Sequence, residues 1–332
     1  MNVGVIGAGW AAAEHCKTLA RSEGTVIVAV SDLDLDRAQR LAQDHGARAY
    51  ETSADLIETE HLDAVVVATP PGSHRDPMLQ AIDAGLAVFV EKPIARTLED
   101  ARAITAAADR GGIVCAIGYQ WRAVAALDVL DAELAGQDLR FLQSEGVGIT
   151  QARRWFADEG QSGRLIAERG SHHLDLQRRV GGEVVSVQAL GSSTELAELA
   201  EVDELGPASS IETSVSLTLR FASGALGAVH VVWVPEGYPS RHRLTVLGTS
   251  SKYELDLDPD FSLRGDSGVM SEPGTMSEHP FAAGLLRFLD AVRNGDPTAV
   301  FSTPGDAAKT LAVVVACERA LATGATVQVE SV

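Results

Sequence analysis

Cysteine, lysine and aromatic residues are all scarce in this sequence of 332 residues, where aromatics make up 5%. The three cysteines, Cys16, Cys115 and Cys317, lie far apart with no C-x-x-C pair. That spacing excludes a disulfide framework and a cysteine-based zinc site, and buried thiols are expected instead. No apolar run reaches the roughly 18 residues that cross a membrane before Gly, Pro or a charge interrupts it. The chain opens directly into the apolar run Val3 to Ile6, with no basic segment before it and no cleavage pattern after a long apolar stretch, so a cytoplasmic protein is expected. Positive charge is also short: 27 Lys+Arg stand against 46 Asp+Glu, a net charge of −19. Such a surface repels nucleic acid and anionic lipid. What is abundant is apolar material, 45% of residues, enough for the cores of two domains at this length.

The first part alternates short apolar runs with helical spacing. V-G-V-I (3–6), V-I-V-A-V (26–30), D-A-V-V-V-A (63–68) and A-V-F-V (87–90) are separated by stretches at 11–21, 37–45 and 77–84 whose apolar residues recur every three or four positions. Uninterrupted apolar strands between helices predict a parallel sheet covered by helices, an α/β layer. A helix at 98–108 and a strand at 113–118 complete it, with a boundary near 118–122. Beyond the boundary, strand-like runs follow one another at 140–148, 184–190, 211–221, 226–234, 243–247 and 253–257, with few helices between. Ser-Gly at 223–224 and G-T-S-S at 248–251 have hairpin turn chemistry. The second half is therefore expected to hold a mainly antiparallel sheet. Helices are expected at 123–134, 172–180, 280–293 and 305–322, and V-Q-V-E forms a last strand. The acidic stretch 195–204 is read as a solvated loop or short helix without a function of its own.

Chemistry enters at the end of the first strand. G-A-G-W-A-A, Gly7 to Ala12, lies between a strand and a helix, the context a dinucleotide-binding loop requires. Gly7 permits the tight turn, Gly9 lets backbone N–H groups approach a pyrophosphate, Trp10 and Ala11 open the helix, and Ala12 still allows close helix-to-strand packing. Asp32, at the end of the second strand, is placed to accept hydrogen bonds from an adenosine ribose. A 2′-phosphate would meet like charge there, strengthened by Asp34 and Asp36, with Arg37 the nearest clamp. At about 4 Å that repulsion is on the order of 4 kcal/mol before screening. NAD is expected rather than NADP; the alternative is an ordinary tight turn followed by a helix cap at Asp32.

One of only four lysines, Lys92, leaves the end of a predicted parallel strand in V-F-V-E-K-P, the edge where open α/β sheets place ligands. Farther on, E-R-G-S-H-H-L-D joins His172 and His173 to Glu168 and Asp175. An imidazole can take a hydroxyl proton near neutral pH, and a neighbouring carboxylate can orient it. Adjacent histidines on a helix point in different directions, so the two cannot share one role. The pair also fits a helix cap beside a core histidine. H-H-x-D lacks the spacing of helical zinc ligands, and no metal is expected.

G-A-G-W-A-A-A-E-H, A-T-P-P-G-S-H, E-K-P-I-A, G-Y-Q-W-R and G-S-H-H-L-D together resemble the glucose–fructose oxidoreductase, inositol dehydrogenase and rhizopine-catabolism (Gfo/Idh/MocA) family. The match runs in order over most of the chain and is strongest up to Gly182. The resemblance implies a nucleotide-binding Rossmann domain, expected over 1–120, followed by a substrate-binding and oligomerisation domain over 121–332, an α/β domain with an open, mainly antiparallel sheet, with substrate lying between them. It implies reversible hydride transfer between a secondary alcohol of a sugar, inositol or related polyol and the nicotinamide. His172 would be the base, Lys92 would steady the reacting oxygen, and Glu168, where catalytic members usually carry Asp, would orient His172 or hold a neighbouring hydroxyl. Thr69, Pro70, His74, Glu91 and Lys92 are placed along the cofactor. Tyr119, Gln120, Arg122, Trp155 and His173 are placed on the substrate side.

Two other readings stay open: an idle NAD-sensing regulatory or scaffold protein, and an enzyme that retains NAD and uses transient oxidation for hydrolysis, epimerisation or elimination. An uncovered sheet face would favour a homodimer or homotetramer.

Overall fold

In the computed structural model, residues 1–149, 155, 158, 160–195, 210–258, 260–266, 268–271 and 278–332 are described. Most of the acidic stretch 195–204 lies outside them. The first elements in chain order are β1 (Asn2–Ile6), α1 (Trp10–Arg21), β2 (Val26–Ser31), α2 (Leu35–His45), β3 (Arg48–Tyr50), α3 (Ser53–Thr59), β4 (Ala64–Val67), α4 (Arg75–Asp83), β5 (Ala87–Val90), α5 (Leu98–Gly111) and β6 (Cys115–Ile117). They are followed by α6 (Ala126–Leu134), β7 (Leu139–Ile149), α7 (Ser171–Gly181), β8 (Val184–Glu195), β9 (Ser210–Phe221), β10 (Leu226–Val234), β11 (Arg241–Gly248) and β12 (Lys252–Asp256). The chain closes with β13 (Ser262–Gly265), β14 (Gly268–Ser271), α8 (Pro280–Asn294), α9 (Pro304–Thr323) and β15 (Val327–Gln328).

These elements form two compact units. One is Met1–Ala123 with Pro280–Ala308; the other is Val124–His279 with Lys309–Val332. A single cut at 120 would assign α8 to the second part, but α8 packs in the first. Its Leu285, Phe288 and Leu289, at helical spacing, are buried in one core with Val3, Val5, Cys16, Leu19 and Phe89.

The first unit holds a six-stranded sheet in the order β3-β2-β1-β4-β5-β6, parallel throughout. This is the doubly wound dinucleotide-binding order, which reverses between β1 and β4. β4 and β5 are buried at every position, as their all-apolar sequences require. The second unit holds a nine-stranded sheet, β14-β13-β12-β11-β7-β10-β9-β8-β15, antiparallel except where β7 runs beside β10. Along β10, Val229, Val231 and Trp233 are buried while Leu226 and Val232 are exposed, the two-residue alternation of a sheet covered on one face. Both expected hairpins form: β9 pairs with β10 across Gly224, whose φ is +90°, and β11 pairs with β12.

All three cysteines are free and buried. Burial pushes the Cys16 and Cys115 thiols up to about 12, so neither is a thiolate near neutral pH. Among the described residues, no helix is long and apolar enough to cross a membrane.

Candidate active site

In a parallel sheet every strand ends on the same edge, so the residues after β1, β2, β4, β5 and β6 are neighbours there. The glycine loop, Asp32, Thr69, Lys92 and Tyr119 occupy those positions. Backbone bonds beyond the strand ends tie the loops together: Gly7 N donates to Ser31 O (2.7 Å), Ala68 N to Ile6 O (2.8 Å), Glu91 N to Val67 O (2.9 Å) and Gly118 N to Val90 O (2.8 Å).

The loop fits a dinucleotide. Gly7 has φ +95°, and a Cβ there would lie 2.7 Å from the Ala68 carbonyl oxygen, so only glycine is accommodated. Gly9 is the N-cap of α1, and no side chain caps that helix. A Cβ on Gly9 would meet nothing within 4 Å. The free N–H groups of the first turn thus face open space, the arrangement that binds a pyrophosphate. Trp10 is 55% exposed, its ring 5.8 Å from that of Phe281. Asp32 is not a helix cap; that role belongs to Asp34, which accepts from Arg37 N. Instead, one Asp32 oxygen accepts from Ala8 N (2.8 Å) and the other from Asp34 N (2.9 Å). These bonds fix its charge beside the loop. Arg37 donates its Nε to Asp34 at 3.1 Å, so the nearest candidate clamp for a 2′-phosphate is engaged by a carboxylate.

Several other expectations for this unit change. His74, expected along the cofactor, is completely buried. Its Nδ1 lies 3.0 Å from Pro93 O and its Nε2 2.8 Å from Thr69 O, so it braces the loops after β4 and β5 against each other. Burial pulls its pKa down, against the pull of the two carbonyls and Glu91. Glu91, also expected at the cofactor, turns inward: Oε1 lies 2.8 Å from His15 Nε2, and Oε2 accepts from the Lys92 amide at 3.2 Å. Arg122, expected at the substrate, pairs with Asp306 and donates to Phe301 O at 3.1 Å. Tyr119 is buried at 3% exposure and Gln120 half-buried, while Thr69 and Pro70 are half-buried with the Thr69 hydroxyl donating to Ser73 O at 3.3 Å. Lys92 is half-buried, and its bond to Pro93 is cis.

In the second unit, a π-helical turn, Ile166–Gly170, runs without a break into α7. Single π turns within helices are frequent at functional sites. Glu168 and His172, four residues apart across this junction, are both half-buried, and that separation puts them about one turn apart on one side of the helix. α7 is pinned from two directions. The Gln177 amide donates to Ser144 Oγ (3.0 Å) and Ala228 O (2.8 Å). Thr310 on α9 donates its hydroxyl to Asp175 Oδ1 (2.8 Å) and accepts from Arg178 Nη1 (2.8 Å). Asp175, 2% exposed, thus fastens the helix that carries His172.

His173 is not on a substrate surface. It is fully buried over Gly146 of β7, where no Cβ would fit, with its Nε2 3.3 Å from His242 Nδ1. Burial, then the charges of His242 and Arg169, hold it well below the usual histidine range. Arg169 lies against Gly148, where a Cβ would come within 2.8 Å of the guanidinium carbon. Trp155 is half-buried. His15, His242 and Asp306 were not singled out for a role by sequence reasoning; the only local signal for His15 is its place in G-A-G-W-A-A-A-E-H.

Residues 1–119 match a family model described as "Oxidoreductase family, NAD-binding Rossmann fold", and residues 136–254 match the "GFO/IDH/MocA C-terminal domain". The scyllo-inositol 2-dehydrogenase (NAD(+)) of Bacillus subtilis is 26% identical over 98% of this chain and 95% of that protein. Inositol 2-dehydrogenase 3 of Saccharopolyspora erythraea is 41% identical over 124 residues, 37% of each chain. Among solved structures, levoglucosan dehydrogenase in complex with NADH and levoglucosan superposes with a TM-score of 0.85 at 18% identity over 100% of both chains, a likeness of fold. With both halves matched in order and the glycine loop and strand order in place, the chain belongs to the GFO/IDH/MocA family of oxidoreductases, and its first unit is the NAD-binding Rossmann domain of that family.

Proposed function

We propose that this protein is an NAD-dependent dehydrogenase that oxidises a secondary hydroxyl of an inositol, sugar or related polyol. The observation that carries this reading is Lys92 at the ligand-binding edge of β5, on the same edge as an uncapped glycine loop and a fixed Asp32 carboxylate. The relatives aligned over nearly the full chain point to the same substrate class by their names.

NAD, when bound, supplies the hydride acceptor. The protein's residues do the rest. Gly7 and Gly9 would admit the pyrophosphate to the first turn of α1, and Asp32 would favour a ribose that carries no 2′-phosphate. His172 takes the hydroxyl proton of the substrate. Lys92 donates a hydrogen bond to the reacting oxygen and stabilises the negative charge that develops on it. Glu168, one turn before His172, orients the imidazole or accepts from a neighbouring hydroxyl. An acidic protein needs only these local groups to hold a neutral polyol.

The second sheet supports a homo-oligomer. Leu190, Ser216 and His230 stand side by side in register on β8, β9 and β10, and Leu190 (75%), Leu226 (39%) and Val232 (36%) are exposed. A second copy of the chain is the occupant proposed for this face.

The test is reduced nicotinamide absorbance with NAD and, separately, NADP against inositols, aldoses, anhydrosugars and aminosugars, after assay of the purified protein for retained cofactor. NADH formation with one substrate class is expected. Demonstrable NAD binding with no NADH from any substrate would overturn the dehydrogenase reading in favour of retained-cofactor chemistry or NAD sensing.

A further inference from the structure

The backbone is held on both sides of Lys92, at its own amide and at the Pro93 carbonyl, and a buried histidine from another element stands at each point. On one side, Glu91 Oε2 accepts from the Lys92 amide and Oε1 lies 2.8 Å from His15 Nε2. On the other, His74 lies 3.0 Å from the carbonyl of Pro93. Burial raises the Glu91 pKa, but the hydrogen bond and charge of His15, with the charge and amide of Lys92, bring it below the ordinary carboxylate value. An ionised carboxylate only accepts, so the proton between the two side chains sits on His15 Nε2.

The pair has little room to adjust. The His15 ring stacks on Phe281 at 4.3 Å and 12°, and meets Phe89 edge-on at 5.1 Å. Opposite the carboxylate stands Gly118, where a Cβ would lie 3.3 Å from Glu91 Oε1. A buried polar pair of this kind is no better for stability than well-packed apolar side chains of the same volume. Its location, one residue before the lysine and on the helix that carries the glycine loop, is what gives it a use.

We propose that His15 is a positioning residue: through Glu91 it holds the Lys92 amide, and with it the direction in which the lysine side chain leaves β5. The inference rests on the reading of Lys92 as a catalytic residue. An error of about 1 Å in such a group can cost on the order of 100-fold in rate.

The test compares His15→Gln, which keeps an N–H for Glu91, with His15→Leu, which fills the space without one, both in the full chain. For His15→Leu, kcat is expected to fall roughly 10- to 100-fold while NAD binding stays near wild type, and the melting temperature falls because Glu91 loses its partner. His15→Gln should recover most of kcat. Hydrogen–deuterium exchange of the protein without NAD should show the Lys92 amide opening faster in the Leu variant than in the Gln variant. If His15→Leu does not fold, Glu91→Gln, which keeps the shape but weakens the acceptor, takes its place with the same two readouts. Equal kcat in the Gln and Leu variants, or unchanged exchange at Lys92, would overturn the proposal. A Lys92→Ala control separates the two readings: full turnover there would remove the catalytic role of Lys92, while exchange at residue 92 would still decide whether His15 holds the backbone.

Discussion

The hydroxyl of Thr310 donates to the carboxylate of Asp175 at 2.8 Å, across 135 residues of chain. The carboxylate of the G-x-H-x-x-D pattern therefore faces α9 and anchors α7. Thr310→Val keeps the volume but leaves Asp175 and Arg178 without their shared hydroxyl, and a loss of about 1–3 kcal/mol in unfolding free energy is expected. Thr310→Ser should lose less. Denaturant titrations of the two variants check this; equal stability of Val and wild type would contradict it.

Gly7 and Gly9 should fail in different ways when changed to alanine. At Gly7 the added Cβ meets backbone at 2.7 Å in a left-handed conformation, so stability should drop by about 1–3 kcal/mol. At Gly9 the φ of −84° is ordinary and the added Cβ touches no protein atom. Stability should hold there while NAD affinity falls by about tenfold or more, because the methyl group occupies the pyrophosphate's approach. Melting temperature and NAD titration, measured on both variants, separate the two effects.

The buried histidines make stability depend on pH. Burial, then the charge of Arg169, lowers His242 to about 3, whereas a histidine in the unfolded chain titrates near about 6.5. Below that value the unfolded chain binds the extra proton, so this contribution is complete above about pH 6.5 and is lost as pH falls toward about 3. By about pH 5, His242 alone should remove about 2 kcal/mol. Unfolding midpoints at neutral pH and at about pH 5 should differ accordingly, and His242→Gln should flatten the difference.

His172→Ala should lower kcat by about 100- to 10,000-fold. NAD binding and folding should be retained, because the cofactor loop lies in the other unit. Near-normal turnover would remove His172 from the mechanism.

Much of this architecture could be read from local pattern. The runs 211–221 and 226–234 differ from β9 and β10 by at most one residue, because strict alternation and a Ser-Gly turn act over a few neighbours. β3 and α3 escaped, since Arg48–Tyr50 is three residues long and carries an arginine. β13 and β14, four residues each, are too short to establish a period. The positions of Gly7, Asp32 and Lys92 at strand ends were legible because each follows a strand in a recognisable order. The inward turn of Glu91 was not: its partner His15 lies 76 residues away. Nor were the Arg122–Asp306 pair and the Thr310 bond, since no periodicity in a sequence records which distant polar groups meet once helices pack.

Because α8 completes the core that β1 begins, the Rossmann domain is not a contiguous stretch of message. Its closing residues, Pro280–Ala308, are made only after the interposed stretch Val124–His279 of the second unit. Until then the apolar surface that Leu285, Phe288 and Leu289 will cover has no lid. Synthesis of that interposed stretch must therefore precede closure of the first domain, and a gene fragment ending at codon 120 would encode a nucleotide-binding sheet whose face covered by α1 and α2 lacks α8.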